Sequence, residues 1–206
     1  MRKLLIITSM YTGHGHKSIA EALAERLDAL NGMDAVVLDA NLPQETVAFL
    51  AQRLRPPLFA DAVSAAKARR LLPALPRLHA IKPNALEAEA LTGLPVYDRP
   101  TAEAAALRLV EMGARGACIT LGERGVCCAD RHEVRFMAAT PVQMTNATGA
   151  GDAFTAAMVW ARLRGMDLFA SARAGMAAAA LTVEAEETVS PLMTEAAVRR
   201  RMGEKF

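Results

Sequence analysis

The sequence predicts an α/β fold in which helices cover a mostly parallel sheet. Apolar and β-branched runs of strand length, such as residues 3–8 and 35–38, alternate with stretches in which apolar residues recur at helical spacing. Glycine-containing loops open into helices at residues 11–18 and 146–151, and the first of these loops follows a strand. A strand, a glycine loop and a helix in succession begin many nucleotide- and phosphate-binding units.

Composition and charge limit the classes of function. The chain has 206 residues, enough for a sizeable core, and a net charge of +2, which predicts no nucleic-acid partner. The longest small and apolar run, Ala174–Val183, is too short to span a bilayer. The N-terminus has no cleavage-like site, so we expect a cytoplasmic protein. The three cysteines are expected to be buried thiols and not a disulfide framework or a zinc site.

Each element in the first half of the chain has its own signal. Apolar, β-branched runs predict strands at residues 3–8, 35–38 and 58–61, the first of them fully buried. Pro43 suits the first turn of a helix that ends near Leu54, before two prolines. A helix is also expected over residues 18–30. Ser64 caps another helix, whose basic residues are expected to form a solvated face: Lys67, Arg69 and Arg70.

The second half continues the alternation. Strands are predicted over residues 79–81, 116–120, 126–129 and 134–137, the last two as a hairpin. Helices are predicted over residues 84–92, 101–112, 150–164, 168–182 and 195–202, with a turn at 188–191. The alanine-rich helix over residues 168–182 has side chains small enough to pack closely against a neighbour.

The stretch Asn146–Phe154 carries the strongest chemical signal. Gly149 and Gly151 precede Asp152 at a predicted helix start, where free N–H groups and the helix dipole attract anions. Asp152 would repel a bound phosphate, but it makes sense as a general base that takes a proton from an attacking hydroxyl. A phosphoryl-transfer site and an ordinary glycine-rich helix start with a first-turn acid both fit these residues.

Two further groups of residues fit a nucleotide site. Asn84 and Glu87 share a face near a helix start, where they could hold magnesium through water and contact phosphates. An asparagine cap with an acidic first turn explains the same pair. Thr120, Gly122 and Gly125 follow the C-terminal end of a strand, where open α/β sheets bind ligands.

These motifs, in this order, resemble the PfkB/ribokinase family of carbohydrate and nucleoside kinases. Asp39–Pro43 and Phe59–Lys67 add to the likeness, and Asn146 in the last motif resembles the family's pseudouridine kinase branch. The resemblance covers roughly residues 36–206. It implies a ribokinase-like, three-layer α/β/α, Rossmann-like fold.

The resemblance also implies roles for individual residues. Gly149, Ala150 and Gly151 would form the anion hole, and Asp152 would be the catalytic base. The residues expected to bind ATP are Asn84, Thr120, Gly122, Gly125 and Thr148. Glu87 and Asn146 are expected to bind metal, with Mg²⁺ as the first ion and K⁺ as a second near the backbone of Asn146 and Thr148.

Residues 1 to about 35 resemble a different family. Their Gly13–Ser18 loop is similar to the N-terminus of monogalactosyldiacylglycerol synthase-type glycosyltransferases, and the N-terminal lid region of PfkB proteins is expected to be lacking. We therefore expect a foreign β-α unit over residues 1–35 and a PfkB-type nucleotide-binding and catalytic part over residues 36–206. The foreign strand could still complete the sheet edge.

The expected function is ATP-dependent phosphoryl transfer to a hydroxyl of a sugar or nucleoside, with pseudouridine as the first candidate. Because the region that recognises the acceptor is expected to be missing, a non-catalytic ATP-binding remnant is the alternative. A glycosyltransferase fragment that uses His14 and His16 would need a nucleotide-sugar domain. The face left open by the missing lid predicts association of the chain, either as a homodimer or by aggregation.

Overall fold

A computed structural model describes residues 3–7, 26–146, 148–187 and 190–203 of the chain. Its strands are β1 Leu4–Ile7, β2 Ala35–Asp39, β3 Leu58–Asp61, β4 Leu78–Lys82, β5 Gly116–Thr120, β6 Gly125–Asp130 and β7 Val134–Ala138. Its α-helices are α1 Leu27–Asn31, α2 Gln44–Arg53, α3 Ala65–Ala68, α4 Ala85–Thr92, α5 Arg99–Glu111, α6 Ala150–Leu163, α7 Leu168–Val183 and α8 Glu195–Arg201. Two 3₁₀ segments cover Arg69–Arg77 and Gly122–Arg124.

The strands form one seven-stranded sheet in the order β1-β2-β3-β4-β5-β6-β7. Neighbouring strands from β1 to β5 are parallel, and β5, β6 and β7 are antiparallel. The prediction of a mostly parallel sheet that ends in a hairpin is therefore confirmed. In a parallel arrangement, the C-terminal ends of β2, β3, β4 and β5 lie at the same edge.

Helices cover the two faces of the sheet. Because side chains alternate along a strand, Leu38 and Val37 of β2 belong to different cores. Leu38 packs in the core that α2, α4, α5 and the first 3₁₀ segment bury. Val37 packs in the core that contains Phe154 of α6 and Phe169 of α7. The three-layer α/β/α architecture is confirmed.

The first strand differs from the prediction. Residues 3–8 were expected to form a fully buried strand, but Leu4 is 41% exposed and Ile6 is 58% exposed. Among the described residues, β1 pairs only with β2, so it lies at the sheet edge. Ile7 joins the core on one face, and the opposite face of β1, which carries Leu4 and Ile6, is open to solvent.

The basic residues after Ser64 are also less solvated than expected. The ammonium of Lys67 donates to the side-chain oxygen of Asn41 at 2.7 Å. The guanidinium of Arg70 donates to the backbone oxygens of Ala40 and Asn41 at 3.4 and 3.3 Å. Arg69 is exposed, as predicted. Two of the three side chains therefore hold the loop after β2, because α3 packs beside that loop.

Candidate active site

Several of the predicted site residues lie at or beside the C-terminal edge of the parallel strands. Asn84, directly after β4, forms a parallel bridge with Thr120 at the end of β5. The amide of Thr120 donates to the backbone oxygen of Pro83 at 2.9 Å. This bridge extends the contact between β4 and β5, so the Asn84 motif and the Thr120 turn become neighbours.

Helix α6 begins beside the same edge. Gly149 precedes it with a φ of 83°, a left-handed conformation that favours glycine. The amide of Ala153 makes the first intrahelical bond, to the oxygen of Gly149 at 2.9 Å. The amides of Ala150, Gly151 and Asp152 precede that bond, and such amides are available to an anion. The Asp152 side chain lies in this first turn and is exposed.

A cavity of about 780 Å³ joins the helix start to the turn after β5. Its lining includes Thr120, Gly122 and Gly125 from the turn, and Ala150 and Gly151 from α6. Five of the predicted site residues therefore share one cavity. The six others are described by the structure but are not in its lining: Asn84, Glu87, Asn146, Thr148, Gly149 and Asp152.

The two glycines of the turn differ in how much space a side chain would have. Gly122 has a φ of 63° and is exposed, with open space where a side chain would stand. Gly125 has a φ of 120°, and a β-carbon there would lie 2.1 Å from the backbone oxygen of Met137. Gly125 is thus required by the close approach of β6 and β7, independently of any ligand.

Asn84 and Glu87 form a reciprocal cap on α4. The Asn84 side-chain oxygen accepts from the Glu87 amide at 3.0 Å, and Oε2 of Glu87 accepts from the Asn84 amide at 2.8 Å. Glu87 is only 4% exposed, and this burial raises the pKa of its carboxyl, while Lys82 opposes the rise and Asp61 adds to it. The capping interpretation of this pair is confirmed, and its metal and ATP roles stay predictions.

The structure adds a buried ion pair that sequence reasoning missed. The ammonium of Lys82 lies 2.8 Å from Oδ2 of Asp61, and the two side chains are 7% and 14% exposed. The hydroxyl of Thr155, on α6, donates to the same Oδ2 at 2.7 Å. A charged residue at the C-terminal end of a largely apolar strand, as in Leu78–Lys82, is the signal that could have found Lys82.

The loop before α6 is tied to the chain after α7. The amides of Thr145 and Asn146 donate to the oxygen of Val183 at 2.7 and 3.1 Å. The Asn146 side chain donates to the oxygen of Glu186 at 3.2 Å and accepts from the Thr148 amide at 2.9 Å. Metal binding by Asn146 stays a prediction, because these contacts give it a structural role of its own.

Some predictions fall outside the described residues. They are the Gly13–Ser18 loop with His14 and His16, most of the helix expected over residues 18–30, and two residues of the turn at 188–191. Within the described part of the chain, no group of three or more histidine, cysteine, aspartate or glutamate side chains could hold a metal ion. Helices long and apolar enough to cross a membrane are likewise absent from this part.

Comparison with known proteins shows the family. The profile described as pfkB family carbohydrate kinase matches residues 9–195. Pseudouridine kinase from Escherichia coli (strain K12) is 29% identical over 174 residues, which are 84% of this chain and 56% of that protein. A solved carbohydrate kinase from Agrobacterium tumefaciens is 30% identical with a TM-score of 0.73, over 86% of this chain and 56% of that one.

A more distant structure agrees in fold. Arabidopsis thaliana ribokinase, solved with ribose and ATP, has a TM-score of 0.75 at 23% identity, over 88% of this chain and 59% of that one. The chain thus spans 56 to 59% of the length of these three relatives. With its three-layer fold and a family match that covers most of its length, the chain belongs to the pfkB family of carbohydrate kinases.

Proposed function

We propose that the chain transfers a phosphoryl group from ATP to a hydroxyl of a sugar or nucleoside. The observation that carries the proposal is the start of α6, where Ala150 and Gly151, whose amides precede the first intrahelical bond, line a cavity and Asp152 is exposed in the same turn. Pseudouridine is the first candidate acceptor because the pseudouridine kinase of E. coli is similar over 84% of this chain.

Each predicted residue has a chemical role in this proposal. Asp152 takes the proton of the acceptor hydroxyl as it attacks, which makes the oxygen a better nucleophile. The first-turn amides, which Gly149 sets in place, stabilise negative charge on the phosphoryl group in transfer. The nucleotide lies along the turn after β5, where Thr120, Gly122 and Gly125 line the cavity. Asn84 forms a bridge with Thr120, and Thr148 stands two residues before α6.

Glu87 fits a Mg²⁺ site that ATP completes. Its Oε2 is used by the cap, whereas Oε1 accepts no hydrogen bond from the described residues. Mg²⁺ usually takes one or two carboxylates and fills its remaining positions with water and phosphate oxygens. When bound, the ion would neutralise charge on the phosphates. Asn146, next to Thr148, is the proposed contact for a second cation, K⁺.

Replacement of Asp152 tests the proposal. Asp152→Asn keeps the size of the side chain and removes the base, so turnover should fall at least about 100-fold while ATP affinity changes little. Asp28→Asn is the matched control, because Asp28 is also an exposed acid in the first turn of a helix. Phosphorylated product is measured by mass spectrometry and ATP affinity by calorimetry. Retained turnover in Asp152→Asn would rule out the assignment.

A nucleotide-binding protein without transfer activity is the second candidate. One observation favours it: the match to the E. coli pseudouridine kinase spans only 56% of the length of that protein. It predicts ATP binding with no phosphorylated product for any acceptor. The glycosyltransferase alternative depends on His14 and His16, and a titration with nucleotide sugars that releases no heat would remove it. We also propose a cytoplasmic homodimer, which sedimentation analysis would test.

A further inference from the structure

Lys82, the buried lysine at the end of β4, has no role in the proposed transfer reaction. We propose that Lys82 binds the phosphate chain of the nucleotide at the start of α6, and that Asp61 and Thr155 are positioning residues that hold its ammonium there. This inference rests on the proposed function, because it adds a residue to the same phosphate site.

Burial makes the ion pair unusual. Removing a lysine and an aspartate from water costs several kcal/mol per ion, and the pair's attraction does not reliably repay that cost. A buried ion pair is therefore weak support for a purely stabilising role. Lys82 and Asp61 stand at the edge of the sheet where ligands of open α/β folds bind. This position favours a role for the positive charge of Lys82 in binding a ligand.

Asp61 is fixed on both oxygens. Its Oδ1 accepts from the amide of Val63 at 3.3 Å, and its Oδ2 accepts from Thr155 at 2.7 Å and from Lys82 at 2.8 Å. Val63 has a φ of 61°, an outlier for a β-branched residue, and the amide of Ser64 closes this tight turn on the oxygen of Ala62 at 2.6 Å. The carboxylate therefore has a defined orientation to offer Lys82.

The ammonium of Lys82 is not saturated by these contacts. A lysine ammonium has three N–H donors, and Asp61 is its one recorded partner in the described part of the chain. At 7% exposure, little water can replace the missing acceptors. Two donors are therefore available to an acceptor that enters from outside the protein.

The free donors lie beside the start of α6. A β-carbon built on Gly151 would lie 3.2 Å from the Lys82 ammonium nitrogen. A distance this short places the ammonium directly beside the first turn of α6, where the unpaired amides are found. Thr155 also donates to the oxygen of Gly151 at 3.2 Å, which links the ion pair to the same turn. The helix amides and the ammonium together make a site for phosphate oxygens.

The negative charge of the surrounding carboxyl groups also favours a cation at this position. Asp61, Glu87 and Asp152 bring three carboxyl groups to this edge, and a polyphosphate would add further negative charge. Lys82 is close enough to Glu87 to affect its ionisation. The absence of a side chain at residue 151 leaves room for the ammonium, so the glycine serves Lys82 as well as the approach of phosphate.

The first test removes the pair without leaving a lone buried charge. The double variant Asp61→Asn/Lys82→Met keeps an acceptor for Thr155 and should fold, which thermal unfolding would check. Binding of tripolyphosphate and of ATP-Mg, measured by calorimetry, should weaken about 10- to 100-fold. Binding of adenosine, which has no phosphate, should not change. Lys67→Met is the matched control, since Lys67 also lies at this sheet edge but donates to Asn41.

Gly151→Ala is an independent second variant. Residue 151 lies in α6 with no positive φ, so alanine suits the helix, but its methyl group would press on the ammonium. The melting temperature should stay the same or rise while tripolyphosphate binding weakens. If the methyl group acts through Lys82, Gly151→Ala should weaken tripolyphosphate binding less in the Asp61→Asn/Lys82→Met background than in the wild type. An equal loss in both backgrounds would mean that the methyl group blocks phosphate without involving Lys82, and would count against the proposal.

The outcomes separate this inference from the proposed function. Wild-type affinity for tripolyphosphate in the double variant would overturn the role of Lys82, and so would a wild-type chain that binds no tripolyphosphate. If the wild-type chain binds tripolyphosphate through Lys82 but phosphorylates no acceptor, the kinase proposal fails and the role of Lys82 stands. If the double variant transfers phosphate with unchanged kcat and KM for ATP, the kinase proposal stands and the role of Lys82 fails.

Discussion

Glu87 shows at the scale of one residue how a structural role and a proposed chemical role can share a side chain. Its cap uses Oε2 alone, and glutamine can accept the same hydrogen bond from Asn84. Glu87→Gln should therefore be at least as stable as the wild type at pH 7 and lose the Mg²⁺ dependence of ATP binding. Asn84→Ala, in contrast, should cost about 1 kcal/mol of unfolding free energy because it removes the cap.

The pH dependence of stability gives a second readout for Glu87. Burial raises its pKa above the ordinary 4.5, so the folded chain holds this proton more tightly than the unfolded chain does. The resulting stabilisation is fully present below pH 4.5 and is lost as the pH rises through the raised pKa. Because glutamine does not ionise, thermal unfolding of Glu87→Gln between pH 4 and 8 should lack this loss. An unchanged pH profile would contradict the assignment.

The cysteines give a prediction about reactivity. Cys118, Cys127 and Cys128 are free and fully buried, as the sequence predicted, and burial raises the pKa of Cys127 to about 12. Since the thiolate is the reactive form, a thiol reagent at pH 8 should label none of them in the native chain. In denaturant, all three should react. Rapid labelling of the folded chain would show that β5 and β6 open far more readily than their burial indicates.

Among the elements, α6 and α7 form the layer that places Asp152. A β-carbon on Gly175 of α7 would lie 2.8 Å from ring atoms of Phe154 on α6. Gly175→Ala should thus cost about 1–3 kcal/mol of unfolding free energy, despite the better helix propensity of alanine, because the ring has to move. Urea unfolding measures the loss. Gly175→Ala/Phe154→Leu should recover part of it, and an equal loss in both variants would mean that the ring is not the obstacle.

The elements also show what sequence patterns can and cannot predict. Apolar runs bounded by proline or glycine identified the strands, because a strand buried on both faces leaves a continuous pattern. The same pattern at residues 3–8 was misleading, since it does not reveal that a strand lies at an edge. The hydrogen bond of Thr155 to Asp61 joins residues 94 positions apart, and nothing local in either segment indicates the partner. The nearby cap of Asn84 and Glu87, in contrast, was within reach of sequence reasoning.

For the whole molecule, the function depends on whether this chain has an acceptor site as well as a nucleotide site. The family match covers residues 9–195, yet the chain spans 56% of the E. coli pseudouridine kinase. The described sheet edge and the start of α6 hold most of the proposed nucleotide residues and the proposed base, Asp152. Recognition of the acceptor, the missing lid and a separate origin for residues 1–35 stay predictions. A chain with a nucleotide site and no acceptor site should bind ATP without transferring its phosphate.

Calorimetric titration with ATP-Mg, in the presence and absence of pseudouridine or ribose, distinguishes these cases. If an acceptor site exists, the acceptor and the nucleotide meet at Asp152, so one of the two compounds should change ATP affinity, and by linkage ATP should change its affinity by the same factor. Tighter ATP binding with pseudouridine and not with ribose would support the nucleoside kinase. ATP affinity that neither compound alters would support nucleotide binding without transfer. An absence of ATP binding would contradict both, because the cavity and the first-turn amides of α6 would then be present without their ligand.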